Sequence, residues 1–184
     1  MGICTRRVPL LKGIVTALLL FVGALHGERS DSLEYQVKAA FLFNFAKFVD
    51  WPSHKFPSPD SPLIFGVVGE DNFQGLLETA VQEKRINDHA VVVKHVANAE
   101  EMRKCHLIFI SHSENARLGA ILAQVKSDNV LTVGESDKFV PRGGMINFVI
   151  TNNTVHFEID AAAAQRAGLK ISSKLMALAV PSSR

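Results

Sequence analysis

Cysteine is nearly missing from this chain of 184 residues, which carries Cys4 and Cys105 and no others. Cys4 lies before an apolar N-terminal run and not just after it, so the leader lacks the layout of a lipoprotein signal. With the leader removed, Cys105 stands alone: an intramolecular disulfide is excluded even in an oxidising compartment, and stability must come from packing. Two uses of Cys105 remain open, as a small buried hydrophobe or as one half of an intermolecular disulfide. His54, His89, His95, His106, His112 and His156 show no paired ligand spacing, so no metal is expected. A Gly-x-Ser-x-Gly elbow and a Walker-type glycine loop are both missing, which leaves no motif for a nucleotide cofactor or for the commonest hydrolases.

An excess of charge is missing too. The basic residues Arg6, Arg7 and Lys12 precede the apolar stretch from Gly13 to Leu25, and small residues follow at Gly23, Ala24 and Gly27. That stretch is short of the roughly 20 apolar residues that cross a bilayer comfortably. Residues 1–27 are therefore read as a cleaved signal peptide, and 28–184 as an exported soluble domain in the periplasm. Cleavage removes three of the 20 basic residues and none of the 18 acidic ones, leaving a formal charge of −1. A near-neutral domain has no electrostatic footprint for nucleic acid, whose binding requires neutralising many phosphates.

What remains is enough for one core. A helix is predicted over Leu33–Asp50, opened by Asp31 or Ser32 and closed before Trp51-Pro52. It carries apolar residues on two stripes, so it is expected to pack on a sheet and to lie under a second covering, from the domain itself or from another chain. Strand patterns follow at Leu63–Val68, Ala90–Val96, His106–Ile110 and Val130–Val133, separated by helical patterns at Asn72–Gln82, Ala99–Arg103 and Ala116–Lys126. This alternation predicts a single α/β domain with a mainly parallel, doubly wound sheet. Met145–Ile150 and Thr154–Ile159, joined by Thr151-Asn152-Asn153, predict an antiparallel hairpin at one edge. Asp160 then caps a helix ending at Gly168, an extended piece covers Leu169–Ser172, and Lys174–Ala179 forms a closing helical turn.

In such sheets ligands sit beyond the carboxyl ends of the strands, which points to Gly69-Glu70-Asp71, Ser111-His112-Ser113 and Gly134-Glu135-Ser136-Asp137. These polar loops support a small-molecule sensor as the alternative function. Adjacent Ser111 and His112 normally diverge, which argues against a hydrolase. Glu70-Asp71 matches the acidic pair of a phosphoacceptor receiver, but Ser111 stands where its phosphorylated aspartate would be. The strongest anomaly is Phe41-Leu-Phe-Asn-Phe-Ala-Lys-Phe48 followed by Trp51. Phe41, Phe45, Phe48 and Trp51 are either core or interface anchors, so a binding protein is expected before an enzyme.

The same residues carry a resemblance. Tyr35-Gln-Val-Lys-Ala-Ala-Phe-Leu-Phe-Asn-Phe-Ala-Lys-Phe-Val-Asp-Trp-Pro52 closely resembles the opening signature of the YfiR family. Further matches follow in order at Ile64-Phe-Gly-Val-Val-Gly69, Cys105-His-Leu-Ile-Phe-Ile110, Val130-Leu-Thr-Val-Gly134, Gly143-Gly-Met-Ile-Asn-Phe148 and Ala167-Gly-Leu-Lys-Ile-Ser-Ser-Lys-Leu175. The resemblance implies a non-enzymatic periplasmic repressor that holds the sensor region of an inner-membrane diguanylate cyclase inactive. It also implies a homodimer, and an OmpA-like outer-membrane lipoprotein that sequesters the repressor. It suggests the hairpin as the partner surface, with Ile146 and Glu158 as direct contacts and Phe41, Phe45, Phe48 and Trp51 as a second group. Characterised relatives use internal disulfides. Here Gly66 stands where the partner of Cys105 would be, and Val140 and Asn147 where another pair would lie, so redox control of that kind is not expected.

Overall fold

The computed structural model describes residues 32–182, so the leader assigned to 1–27 and the helix cap proposed at Asp31 lie outside the described residues. All the strands belong to the unit that begins at Tyr35.

The first helix, α1, covers residues 32–47. It ends three residues sooner than predicted, because Phe48 N–H turns back to the Phe45 carbonyl and the chain enters strand β1, Val49–Asp50. Then come β2 (Leu63–Val68), α2 (Leu76–Val81), β3 (Arg85–Ile86), β4 (His89–His95), α3 (Ala99–Lys104), β5 (Leu107–Ile110), α4 (Leu118–Val125) and β6 (Leu131–Gly134). The hairpin β7 (Ile146–Thr151) and β8 (Thr154–Ile159) follows, and α5 (Ala161–Arg166), β9 (Lys170–Ile171) and α6 (Ser173–Met176) close the fold.

The main sheet runs β3-β4-β2-β5-β6-β7-β8, parallel from β4 to β7 and antiparallel at both ends. This is the predicted doubly wound sheet with its edge hairpin. The turn Asn152-Asn153 has both residues left-handed, the geometry that favours asparagine in a two-residue hairpin. A second such turn, Asn87-Asp88, makes β3 fold back on β4. Helix α2 begins four residues later than predicted, since Gln74 and Gly75 both take positive φ and unwind the segment that Asn72 was expected to open.

Strand alternation splits the core between two faces. Phe65, Val67, Leu107, Phe109, Leu131 and Val133 face α1 and α2, while Ile108, Ile110 and Val68 face α3 and α4. Fully burying a phenylalanine contributes about 1.5–3 kcal/mol, so the fully buried Phe45, Phe65, Phe73, Phe109 and Phe139 dominate this packing. The second covering expected over α1 comes in part from the domain itself. Phe41 and Phe45 meet Phe148 and Phe157 of the hairpin at ring centroids 4.8–6.2 Å apart, and β1 pairs with β9. Among the described residues, no helix is long and apolar enough to cross a membrane.

Candidate functional site

The five parallel strands stand in the order β4-β2-β5-β6-β7, so the direction of winding reverses between β2 and β5. That switch point is where ligands sit in such folds. Here the loops contact one another across the crevice. Glu70 N–H donates to Ser113 Oγ at 3.0 Å, and a Cβ placed on Gly69 would lie 2.6 Å from that oxygen and 2.7 Å from Glu114 Cγ. Ser111 is fully buried and its hydroxyl accepts the Ser113 N–H. The His112 ring instead faces Glu135, so Ser111 and His112 diverge as their adjacency predicts.

The centre of this region is Glu135, just past β6. Its carboxylate takes Lys38 Nζ at 2.6 Å and the Tyr35 hydroxyl at 3.0 Å, both from α1, and the His112 backbone N–H at 3.3 Å. The His112 imidazole lies 3.7 Å away, and Asn72 Nδ2 donates to the Tyr35 hydroxyl. Side chains of Lys38 and Glu135 are 4% and 6% exposed, so this ion pair is effectively withdrawn from water. Such a pair fixes geometry more than it adds stability, and breaking one partner is costly. The Lys38 ammonium also stands 4.5 Å from the Tyr35 ring centroid. The cluster thus fastens the start of α1 across the carboxyl ends of β2, β5 and β6. Sequence reading singled out those loops; it missed Tyr35 and Lys38, which come from a helix whose aromatic residues drew the attention.

The opposite end of the sheet holds the other half of the aromatic signature. Trp51 Nε1 donates to the His106 carbonyl at 3.1 Å, so the indole is tied to the sheet and half-buried. Lys55 Nζ donates to the carbonyls of Arg103, Cys105 and Asp128, and burial lowers its pKa. Phe56 stacks between His89 and His106, with centroids at 3.9 and 4.5 Å. His106 Nδ1 accepts the Ile64 N–H, which puts the neutral ring's proton on the buried Nε2. Burial, with Lys55 adding to it, pushes the His106 pKa down to about 4. Burial likewise pushes the Cys105 thiol up to about 11, so it is an unreactive hydrophobe in this fold.

The residues named as partner contacts are placed as follows. Ile146 and Phe45 are 0% exposed, and Glu158 is 3% exposed and accepts from Asn147 Nδ2. The resemblance suggested Ile146 and Glu158 as direct contacts; in the structure Ile146 packs in the core facing α1, and Glu158 pairs across the hairpin with Asn147. None of the three has surface for a partner in this arrangement. Phe41, Phe48 and Trp51 keep partial exposure while packing on the core. The hairpin's open apolar residue is Ile150, 45% exposed near the turn.

Two glycines of the signature have one steric cause. A Cβ on Gly134 or Gly144 would lie 2.2 or 2.1 Å from the ring of Phe139, which is sandwiched between them and fully buried.

A family model described as YfiR/HmsC-like matches residues 35–180, nearly the whole described domain. Among solved structures, the crystal structure of a conserved domain protein from Vibrio cholerae O1 biovar eltor is 12% identical, with a TM-score of 0.49. The alignment covers 64% of this chain and 54% of that one, so the chain spans about half the length of the solved structure it matches. No curated protein matches the chain.

Proposed function

From the premise that the chain belongs to the YfiR/HmsC-like family, we propose that it binds and inhibits the sensor region of an inner-membrane diguanylate cyclase, lowering cyclic-di-GMP signalling. The family is one of periplasmic, non-catalytic regulators that work with membrane diguanylate cyclases, and the match across residues 35–180 is the observation that carries the proposal. A signal peptide over residues 1–27 delivers the domain to the periplasm. The homodimer, and an OmpA-like outer-membrane lipoprotein that sequesters the repressor, belong to the same proposal.

The hairpin is the surface we assign to the cyclase, reached at Ile150, and the exposed edges of Phe41, Phe48 and Trp51 form a second, separate group. An apolar side chain near a turn is suited to seat in a partner's pocket as an anchor. Deleting the gene is expected to raise cyclic-di-GMP several-fold. An Ile150→Glu copy present at the normal level should fail to reverse that rise, because it puts a charge into the contact. Unchanged cyclic-di-GMP in the deletion strain would refute the repressor reading. Full complementation by Ile150→Glu would move the contact away from the hairpin turn.

A further inference from the structure

A cavity of about 280 Å³ lies between α4, α5 and the loop before β7, apart from the strand-end cluster. Its lining includes Leu122 and Met145, and its titratable lining residues are Lys126, Arg142 and Arg166, all cationic. The domain after the leader carries 17 basic against 18 acidic residues, so three cations without a carboxylate in one lining are a local departure from a balanced surface.

Two of the polar groups are held in place. Arg142 donates to the Asn115 side-chain and backbone oxygens at 2.7 and 3.1 Å, which orients its guanidinium. Thr132 is 2% exposed, and its Oγ accepts the Met145 N–H at 3.1 Å, leaving the hydroxyl proton for an acceptor in the cavity. Arg166, an exposed side chain, pairs with Asp160 at 3.6 Å, an interaction an entering anion would compete with easily. In the loop wall the Gly144 N–H donates to the Phe139 carbonyl at 3.0 Å, and the Phe139 ring is fully buried.

We infer that this cavity binds a small amphipathic monocarboxylate, with its apolar body on Leu122 and Met145 and its carboxylate among Lys126, Arg142 and Arg166. The volume, just under the roughly 300 Å³ at which ordinary ligand pockets begin, equals about nine waters of liquid. That suits an acid of the size of benzoate or hexanoate. The inference is independent of the repressor reading.

Isothermal titration of the purified protein with benzoate and with hexanoate tests it, with benzyl alcohol and hexanol as neutral counterparts. Saturable one-site binding is expected, weakened about tenfold or more in the alcohols and in Lys126→Gln/Arg166→Gln, the scale of one lost charge-assisted contact. Leu122→Trp, which fills the cavity from a helix face, is expected to abolish binding, with folding verified by circular dichroism. The charge variant, altered at exposed positions, supplies the test if the tryptophan variant does not fold. Binding of acids and alcohols with equal strength, undiminished binding in a folded Leu122→Trp, or no heat from either acid at 10 mM would each overturn the inference.

Discussion

Gly66 offers the sharpest test of the packing. A Cβ built on it lies 2.9 Å from Cys105 Sγ, and in a disulfide the distance from one Cβ to the far sulfur is about 3 Å. Gly66→Cys should therefore form a cross-link with little backbone movement, restoring the pair that the family resemblance places there. The bond would close a loop of about 40 residues, which chain-entropy arguments value at about 4 kcal/mol. Against this, the new Cβ would meet Val96 Cγ2 at 3.0 Å and Ile108 Cγ2 at 3.2 Å. Crowding of that kind costs about 1–3 kcal/mol. The oxidised variant is thus expected to gain about 1–3 kcal/mol, or roughly 2–12 °C in Tm for a domain of this size. The reduced variant should fall below the parent by the crowding term alone. Because the Cys105 thiol is pushed up to about 11 by burial, its thiolate is scarce at neutral pH, so the bond should form during oxidative refolding and not by oxidising the folded protein. Thermal melts with and without reductant, together with thiol titration, decide the matter. Two titratable thiols after oxidative refolding, or an oxidised variant melting below the parent, would refute the geometry.

Other consequences follow from named contacts. His106 has a folded pKa depressed to about 4, so its contribution is complete above the unfolded value near 6.5 and is lost as pH falls towards 4. Unfolding free energy should drop by at most about 3 kcal/mol across that window, and His106→Asn should flatten the decline; an unchanged slope in denaturant titrations would refute it. Glu135→Leu removes the carboxylate from a buried ion pair with Lys38 and should cost about 3–5 kcal/mol, against a negligible effect if the pair were open to water. Gly144→Ala should cost about 3 kcal/mol by driving a methyl into Phe139. Added to Phe139→Ala it should cost far less, and simple additivity in chemical denaturation would show that the ring is not the obstacle.

Much of the architecture was legible because local and global signals agreed. Continuous apolar runs such as Leu63–Val68 occur where a strand is covered on both faces, and β2 is buried so. Asn152-Asn153 spelled out its turn. Where reading failed, short-range chemistry was overruled or overlooked. Val49-Asp50 continued the helical pattern, but antiparallel pairing with Lys170–Ile171, far along the chain, made it a strand. The Asn87-Asp88 turn carried its own signal in the sequence and was missed because the flanking strand β3 is two residues long. No local pattern could show that Lys38 turns inward, since a lysine on a helix ordinarily keeps its ammonium in water and here the fold brings the carboxylate of Glu135 to it.

The placement of the signature residues separates two meanings of a family motif. Phe45 fills the core, Trp51 ties the end of α1 to the His106 carbonyl, and Gly134 and Gly144 make room for one ring. Each has a packing reason that would hold in any protein with this scaffold, whatever it binds. Residues that recognise a particular partner must instead have free surface. Ile146 and Glu158, 0% and 3% exposed, lack such surface in this conformation, and Ile150 is the exposed large apolar residue of the hairpin. The motif that makes the family recognisable should therefore be exchangeable between members without changing partner choice, whereas grafting the Ile150–Thr154 turn should carry it. Swapping the two segments separately between members and scoring which cyclase is bound measures this directly; partner choice that travels with the aromatic helix would assign recognition to the half-exposed edges of Phe41 and Phe48 instead.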